Sequence, residues 1–301
     1  MRKFCSKLWT IVAITVVMAI VVTGCGNTGG EKQDGESTAK GETIEIGVFN
    51  WAENIAAVNL WKLVLEEEGY DVKLIEGEKQ PLFAAVASGD LDLACEVWLP
   101  NTDEPFAEKY KGNGWEVLEP WYEGTYLGLV VPEYVEIDSI TELNANKDKY
   151  IVNGEPSIVG IDGGASLMRM TEEAIKSYYL DLRLIESSGP AMTATLKQSI
   201  EEKKPVVVTL WSPHWAFADF DLKYLEDPEG IYGEKEKIYP VGHEGFSEKY
   251  PTVTKWLNNW HMDDQSLGSL MSTINDAGDP AEGAKIWLEE NRDLVNEWLE
   301  K

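Results

Sequence analysis

The pattern that most limits this chain is an alternation, run through twice, of short strand-like and helical segments. Thr43–Phe49 alternates as a strand does. Ala52–Glu68 then sets Ile55, Val58, Trp61 and Leu65 at helical spacing. Asp71–Ile75 reads as a second strand, Pro81–Ser88 as a short helix opened by proline, and Leu91–Val97 as a third strand. Tyr126–Val131 begins a second series. It continues through Ser157–Ile161, the helix Ser166–Tyr179, Leu182–Ile185, the helix Pro190–Lys203 and Pro205–Leu210. The segments Ser247–Trp260, Asp263–Ile274 and Pro280–Leu299 read as helices. Such alternation predicts an α/β protein with parallel sheets covered on both faces. Two series and a helical tail predict two lobes: 43–125 in the first, 126–239 in the second, and 240–301 returning to the first.

The start of the chain reads differently. Arg2, Lys3 and Lys7 precede the apolar run Leu8–Val22, a secretory signal pattern. The run is shorter than the ~20 residues that cross a bilayer. It ends in Val22-Thr23-Gly24-Cys25, which resembles the bacterial lipobox. Residues 1–24 are thus expected to be a lipoprotein signal peptide and Cys25 the lipid anchor. Residues 25–42, rich in Gly, Ser, Lys and Glu, read as a flexible tether. The alternative is an uncleaved anchor in which Cys25 is incidental.

Composition narrows the function. With 53 acidic against 26 basic residues and a net charge of −27, the chain lacks the basic footprint that nucleic acid requires. Three Cys and three His show no metal-ligand spacing, and no nucleophile elbow, phosphate loop or His-Glu-x-x-His is present. No cofactor or metal is expected, and a secreted hydrolase is the alternative from another class. The number left to explain is twelve Trp.

Trp61, Trp256, Trp287 and Trp298 sit in helical stripes and are expected in the core. Trp51, Trp98 and Trp211 instead come after three different strands. Ligands of open α/β sheets lie beyond the carboxyl ends of strands, so these three converge on one cleft. Any one alone reads more readily as core packing. Leu99-Pro100 and Ser212-Pro213 stiffen the turns after two of them. Converging indole faces suit a quaternary ammonium, which has no N–H to donate and spreads its charge over methyl groups. Each ring contributes roughly 0.5–2 kcal/mol to such a cation. The run Gly160-Ile161-Asp162-Gly163-Gly164-Ala165 enters a helix and can turn its amides toward an anion. A plain strand–helix turn is the equal alternative.

Four segments carry a resemblance: Asn50-Trp51-Ala52-Glu53-Asn54-Ile55-Ala56, Glu96-Val97-Trp98-Leu99-Pro100-Asn101-Thr102, Gly160 to Ala165, and Val208-Thr209-Leu210-Trp211-Ser212-Pro213-His214-Trp215. In this order they resemble the glycine betaine substrate-binding proteins of ABC importers, over about Thr43 to Ile274. The resemblance implies a two-lobed, periplasmic-binding-protein-like (type II) α/β fold with a hinge between the lobes. It implies a monomer that delivers glycine betaine, carnitine or choline to an ABC permease. By position it implies an ammonium cage of Trp51, Trp98 and Trp211, with the amides of Gly160 and Ile161 on the ligand carboxylate. One position departs, since Asp103 stands where relatives often place His. Either Asp103 caps the helix that begins at Glu104-Pro105, or the ligand lacks the carboxylate, as choline does. Choline-binding relatives use an acid at the place of Glu53 and a Tyr near Tyr126. Glu53 equally suits the first turn of a helix. His214 is a further candidate contact, with turn packing as the plainer reading.

Overall fold

The computed structural model describes residues 41–300. The expected signal peptide, Cys25 and most of the tether lie outside the described residues. Strand-like runs become β1 (Thr43–Val48), β2 (Asp71–Glu76), β3 (Leu93–Leu99), β4 (Trp115–Val117), β5 (Tyr122–Pro132) and β6 (Ile151–Val152). They continue as β7 (Glu155–Val159), β8 (Arg183–Ile185), β9 (Val208–Ser212), β10 (Leu222–Tyr224) and β11 (Glu236–His243). Hydrogen bonding links them in the order β2-β1-β3-β11-β5-β9-β7-β6, with β4 on β11, β10 on β5 and β8 on β7.

The expected parallel pairing holds only within each half. β1 runs parallel to β2 and β3, and β7 runs parallel to β8 and β9. β5 and β11 run antiparallel to their neighbours, because they lie where the chain passes between the halves. The Tyr122–Thr125 end of β5 pairs with β11, and Tyr126–Val130 pairs with β9. Gly124 sits just before this change of partner with φ +95°, a left-handed value that glycine adopts without strain. β11 is absent from the sequence reading because Pro240 and Gly242 interrupt its pattern. Its register against β3 shifts between Tyr239 and Val241, and such a bulge is where a strand tolerates proline.

The helix Ala52–Glu67 buries Ala56, Val58, Leu60, Trp61, Val64 and Leu65. The expected Ile55 is only half-buried. Most tryptophans build this core. Trp121 stacks on Trp260 at 4.2 Å and 5°, and Trp61 meets Trp260 edge-on at 5.4 Å. Trp256, Trp287 and Trp298 are buried as expected. The tail forms shorter helices than expected. Pro251 lacks the N–H that a continuous helix needs and opens a new one, Pro251–Asn259, after Phe246–Lys249. The final helices pack on the helix Ala52–Glu67, where Arg292 pairs with Glu67 through both terminal nitrogens across 225 residues. Among the described residues no helix is long and apolar enough to cross a membrane.

Candidate functional site

Trp98 and Trp211 stand inside their strands, each next to last, rather than after them as expected. The strands run further because Trp98 pairs with Ile238 of β11 and Trp211 with Leu127 of β5. Trp51 is the N-cap residue of the helix Ala52–Glu67. All three are buried, and they line a single cavity of about 30 Å³ together with Glu53, Lys79, Thr102, Ile161 and Ser166. Two of the indoles come from the first half and Trp211 from the second. A wider groove of about 630 Å³ lies beyond Trp51, Lys79 and Ala165.

Each ring is held from behind. Trp51 stacks on Phe49 at 5.2 Å and 15°. The His214 ring meets Trp211 edge-on at 4.9 Å. Trp98 Nε1 donates to Glu96, which lies two residues earlier and so on the same face of β3. Trp211 Nε1 donates to Glu53 Oε2 at 2.7 Å, a bond from one half to the other. Glu53 also hydrogen-bonds Glu96, and neither carboxyl reaches solvent. Burial pushes both acids up, Glu53 well above the usual carboxylate range and Glu96 to about 7. The charge of Glu96 adds to the rise of Glu53, while the Trp98 indole N–H and Lys79 oppose that of Glu96. The carboxyl oxygens of the pair back two of the three indoles.

Asp103 corrects an expectation. It occupies the N-cap position of the helix Glu104–Tyr110, yet its side chain makes no capping bond. The carboxylate is fully buried and takes Lys79 Nζ on both oxygens, at 2.7 and 2.8 Å. Trp98 N–H donates to its Oδ2 at 2.9 Å, and Asp103 N–H returns a bond to the Trp98 carbonyl at 2.9 Å. Ser166 Oγ donates to Oδ1 at 2.9 Å from the other half. A buried ammonium is a stronger partner than a helix amide, so the cap is forgone. Breaking such a pair by removing one member typically costs about 3–5 kcal/mol.

The other candidates divide. The Gly160 amide donates to Ile185 O at 2.8 Å, so the expectation that it is free for a ligand carboxylate fails in this conformation. Glycine is required there for another reason, since a Cβ would stand 2.4 Å from Met168 Sδ. The Ile161 amide faces only that sulfur, a weak acceptor, at 3.2 Å. Tyr126 does not border the indole cavity, because its ring packs edge-on against Tyr224 at 4.9 Å. His214 accepts from Ala216 N–H on Nδ1 at 3.0 Å, and burial lowers it to about 3. It braces Trp211 from outside the indole cavity and lines instead a neighbouring groove of about 390 Å³ with Trp211 and Trp215. Lys79 is absent from the sequence reading, and Glu96, Thr102 and Ser166 occur there only within segments, not as site residues. Glu96 was legible from the two-residue period of β3. Thr102 is held by the distant Glu236, which accepts its N–H at 2.9 Å.

The halves are shut on each other. Besides the Trp211–Glu53 and Ser166–Asp103 bonds, Gly189 comes so near that a Cβ there would stand 3.0 Å from the Asn50 carbonyl oxygen. A cavity of 30 Å³ has room for little more than water. With the halves closed, the cavity excludes any solute much larger than water.

Two lobes on a shared strand with a closing cleft between them define the class: a type II solute-binding protein. The chain belongs to the family described as the substrate-binding domain of ABC-type glycine betaine transport systems, whose model matches residues 42–290. It is similar to the glycine betaine/carnitine transport binding protein of Listeria monocytogenes, at 42% identity over 147 residues, 48% of this chain and 49% of that protein. The match thus spans about half the length of that relative. Lactococcal OpuAC, solved closed and complexed with glycine betaine, superposes with a TM-score of 0.78 at 32% identity, covering 86% of this chain and 99% of that one. ProX from Borrelia burgdorferi gives 0.80 at 32%, covering 85% and 96%. A choline-binding protein solved with choline shares the fold, with a TM-score of 0.78 at 23% identity, covering 86% and 91%. The family is one of extracytoplasmic binding proteins of ABC importers, not of enzymes, which leaves the hydrolase alternative without support.

Proposed function

We propose that this chain captures glycine betaine, or a related trimethylammonium solute such as carnitine, between its lobes and presents it to an ABC permease. The observation that carries this reading is the convergence of Trp51, Trp98 and Trp211, from both halves, on one cavity. Three ring contacts supply a few of the ~8 kcal/mol that micromolar affinity requires. Burial of the methyl groups and closure of the lobes supply the rest. The lobes are assigned as 43–125 with 240–301, and 126–239, turning about β5. Glycine betaine, carnitine, choline and proline titrated into purified protein should separate by Trp fluorescence. Saturable quenching by a trimethylammonium solute is expected. Absence of saturation with every quaternary ammonium, in folded protein, would overturn the proposal. Choline is the competing ligand because Glu53 lines the cavity.

The lipobox-like Val22-Thr23-Gly24-Cys25 supports attachment to the membrane through two acyl chains on Cys25. The full chain made in a bacterium should then partition into the detergent phase, and Cys25→Ala should move it to the aqueous phase. Equal partitioning of the two would remove the anchor.

A further inference from the structure

We propose that Lys79 is a ligand-binding residue: its ammonium, held by Asp103, donates to the carboxylate of the solute and makes the site select a trimethylammonium carboxylate over choline. This rests on the function proposed above and names the ligand class more narrowly.

An ammonium has three N–H donors. Two of them meet the two oxygens of Asp103, and no third hydrogen-bond acceptor for Lys79 stands among the described residues, its ammonium otherwise facing only the Trp51 and Phe83 rings. The side chain is only 3% exposed, so bulk water does not serve the third donor. Lys79 lines the same cavity as the three indoles, and its Nζ lies 4.8 Å from the Trp51 ring centroid. A solute held in this cavity with its cationic head on the Trp98 and Trp211 side therefore brings its other end within reach of this nitrogen.

The charges around the cavity fit one orientation. Glu53 and Glu96 stand behind Trp211 and Trp98 and favour a cation between those rings. Lys79 stands at the Trp51 side and favours an anion. Choline offers a cation without the anion. It would leave the third donor unpaired in a buried place and set a second positive charge near Lys79, both of which disfavour binding. The carboxylate also needs a donor beyond the Ile161 amide, since the Gly160 amide is engaged with Ile185 O. Asp103 is the positioning residue. It holds the ammonium in place and takes the Ser166 hydroxyl from the opposite lobe, so the arrangement is complete only when the cleft is closed.

Calorimetry with glycine betaine, choline and tetramethylammonium on wild type and on Lys79→Met/Asp103→Asn tests this. The double change removes both charges together and keeps an oxygen for the Trp98 N–H; thermal melting confirms the fold. Wild type should prefer glycine betaine to choline. In the double variant glycine betaine should weaken by about tenfold to a hundredfold, the range for a hydrogen bond to a charged group. Choline and tetramethylammonium should hold or tighten. Equal weakening of all three, or a wild-type preference for choline, would overturn the role of Lys79 while leaving the indole cage intact. If wild type binds none of the three, the proposed function itself falls and this inference with it.

Discussion

Trp211→Ala should weaken glycine betaine binding by about 100- to 1,000-fold. The change removes a cation–π contact of roughly 0.5–2 kcal/mol and the apolar surface of a buried aromatic, worth roughly 1.5–3 kcal/mol. Each 1.4 kcal/mol is about tenfold in the dissociation constant. The effect is large because Trp211 is the one indole of the cavity from the second half, and its N–H reaches Glu53 in the first. Trp211→Phe keeps a ring face without that N–H and should fall between. Calorimetry on both, with melting curves as a check on folding, reads the result. Wild-type affinity in the alanine variant would show that the cage has been assigned wrongly.

The second large effect concerns stability and pH. Burial holds Glu53 and Glu96 above their ordinary values, Glu96 from 4.5 to about 7. The native state then binds protons more tightly than the unfolded chain, so stability from this pair is fully present below pH ~4.5. It is lost as pH rises through about 7. One pKa unit corresponds to about 1.4 kcal/mol, so the pair should cost the fold a few kcal/mol between pH 5 and pH 8. Glu96→Gln keeps an oxygen for the Trp98 indole and cannot ionise. Urea unfolding at the two pH values should show a markedly smaller difference for this variant than for wild type. An unchanged difference would mean that the pair is not the titrating group.

How much of this was legible follows from how far each contact reaches along the chain. Trp51, Trp98 and Trp211 could be found because strand periodicity and the rule of strand ends are local, and they needed only a guess that the ends converge. Glu96 was equally local, two residues from Trp98. Lys79 and Asp103 were not. Their pairing spans 24 residues, and Lys79 precedes the helix that the sequence predicts from Pro81. Asp103 was misread for the same reason, since its sequence neighbours offer a cap and its spatial neighbours offer an ammonium. β11 stayed hidden because its proline is acceptable only at a bulge, and a bulge is defined by the partner strand. The amides of Gly160 and Ile161 look alike in sequence and differ only in what Ile185 and Met168 bring to them.

The packing of the last helices on the helix Ala52–Glu67 also sets an order of assembly. β3 is flanked by β1 and by β11, and the turn after it is held by Glu236, some 135 residues later. The helix Ala52–Glu67 is covered by Pro280–Glu290, and Glu67 waits for Arg292. The first half thus cannot be finished until the last helices are in place. Loop closure over such separations is slow and entropically costly. The part of the first half that precedes β5 is therefore completed only by residues that follow β10.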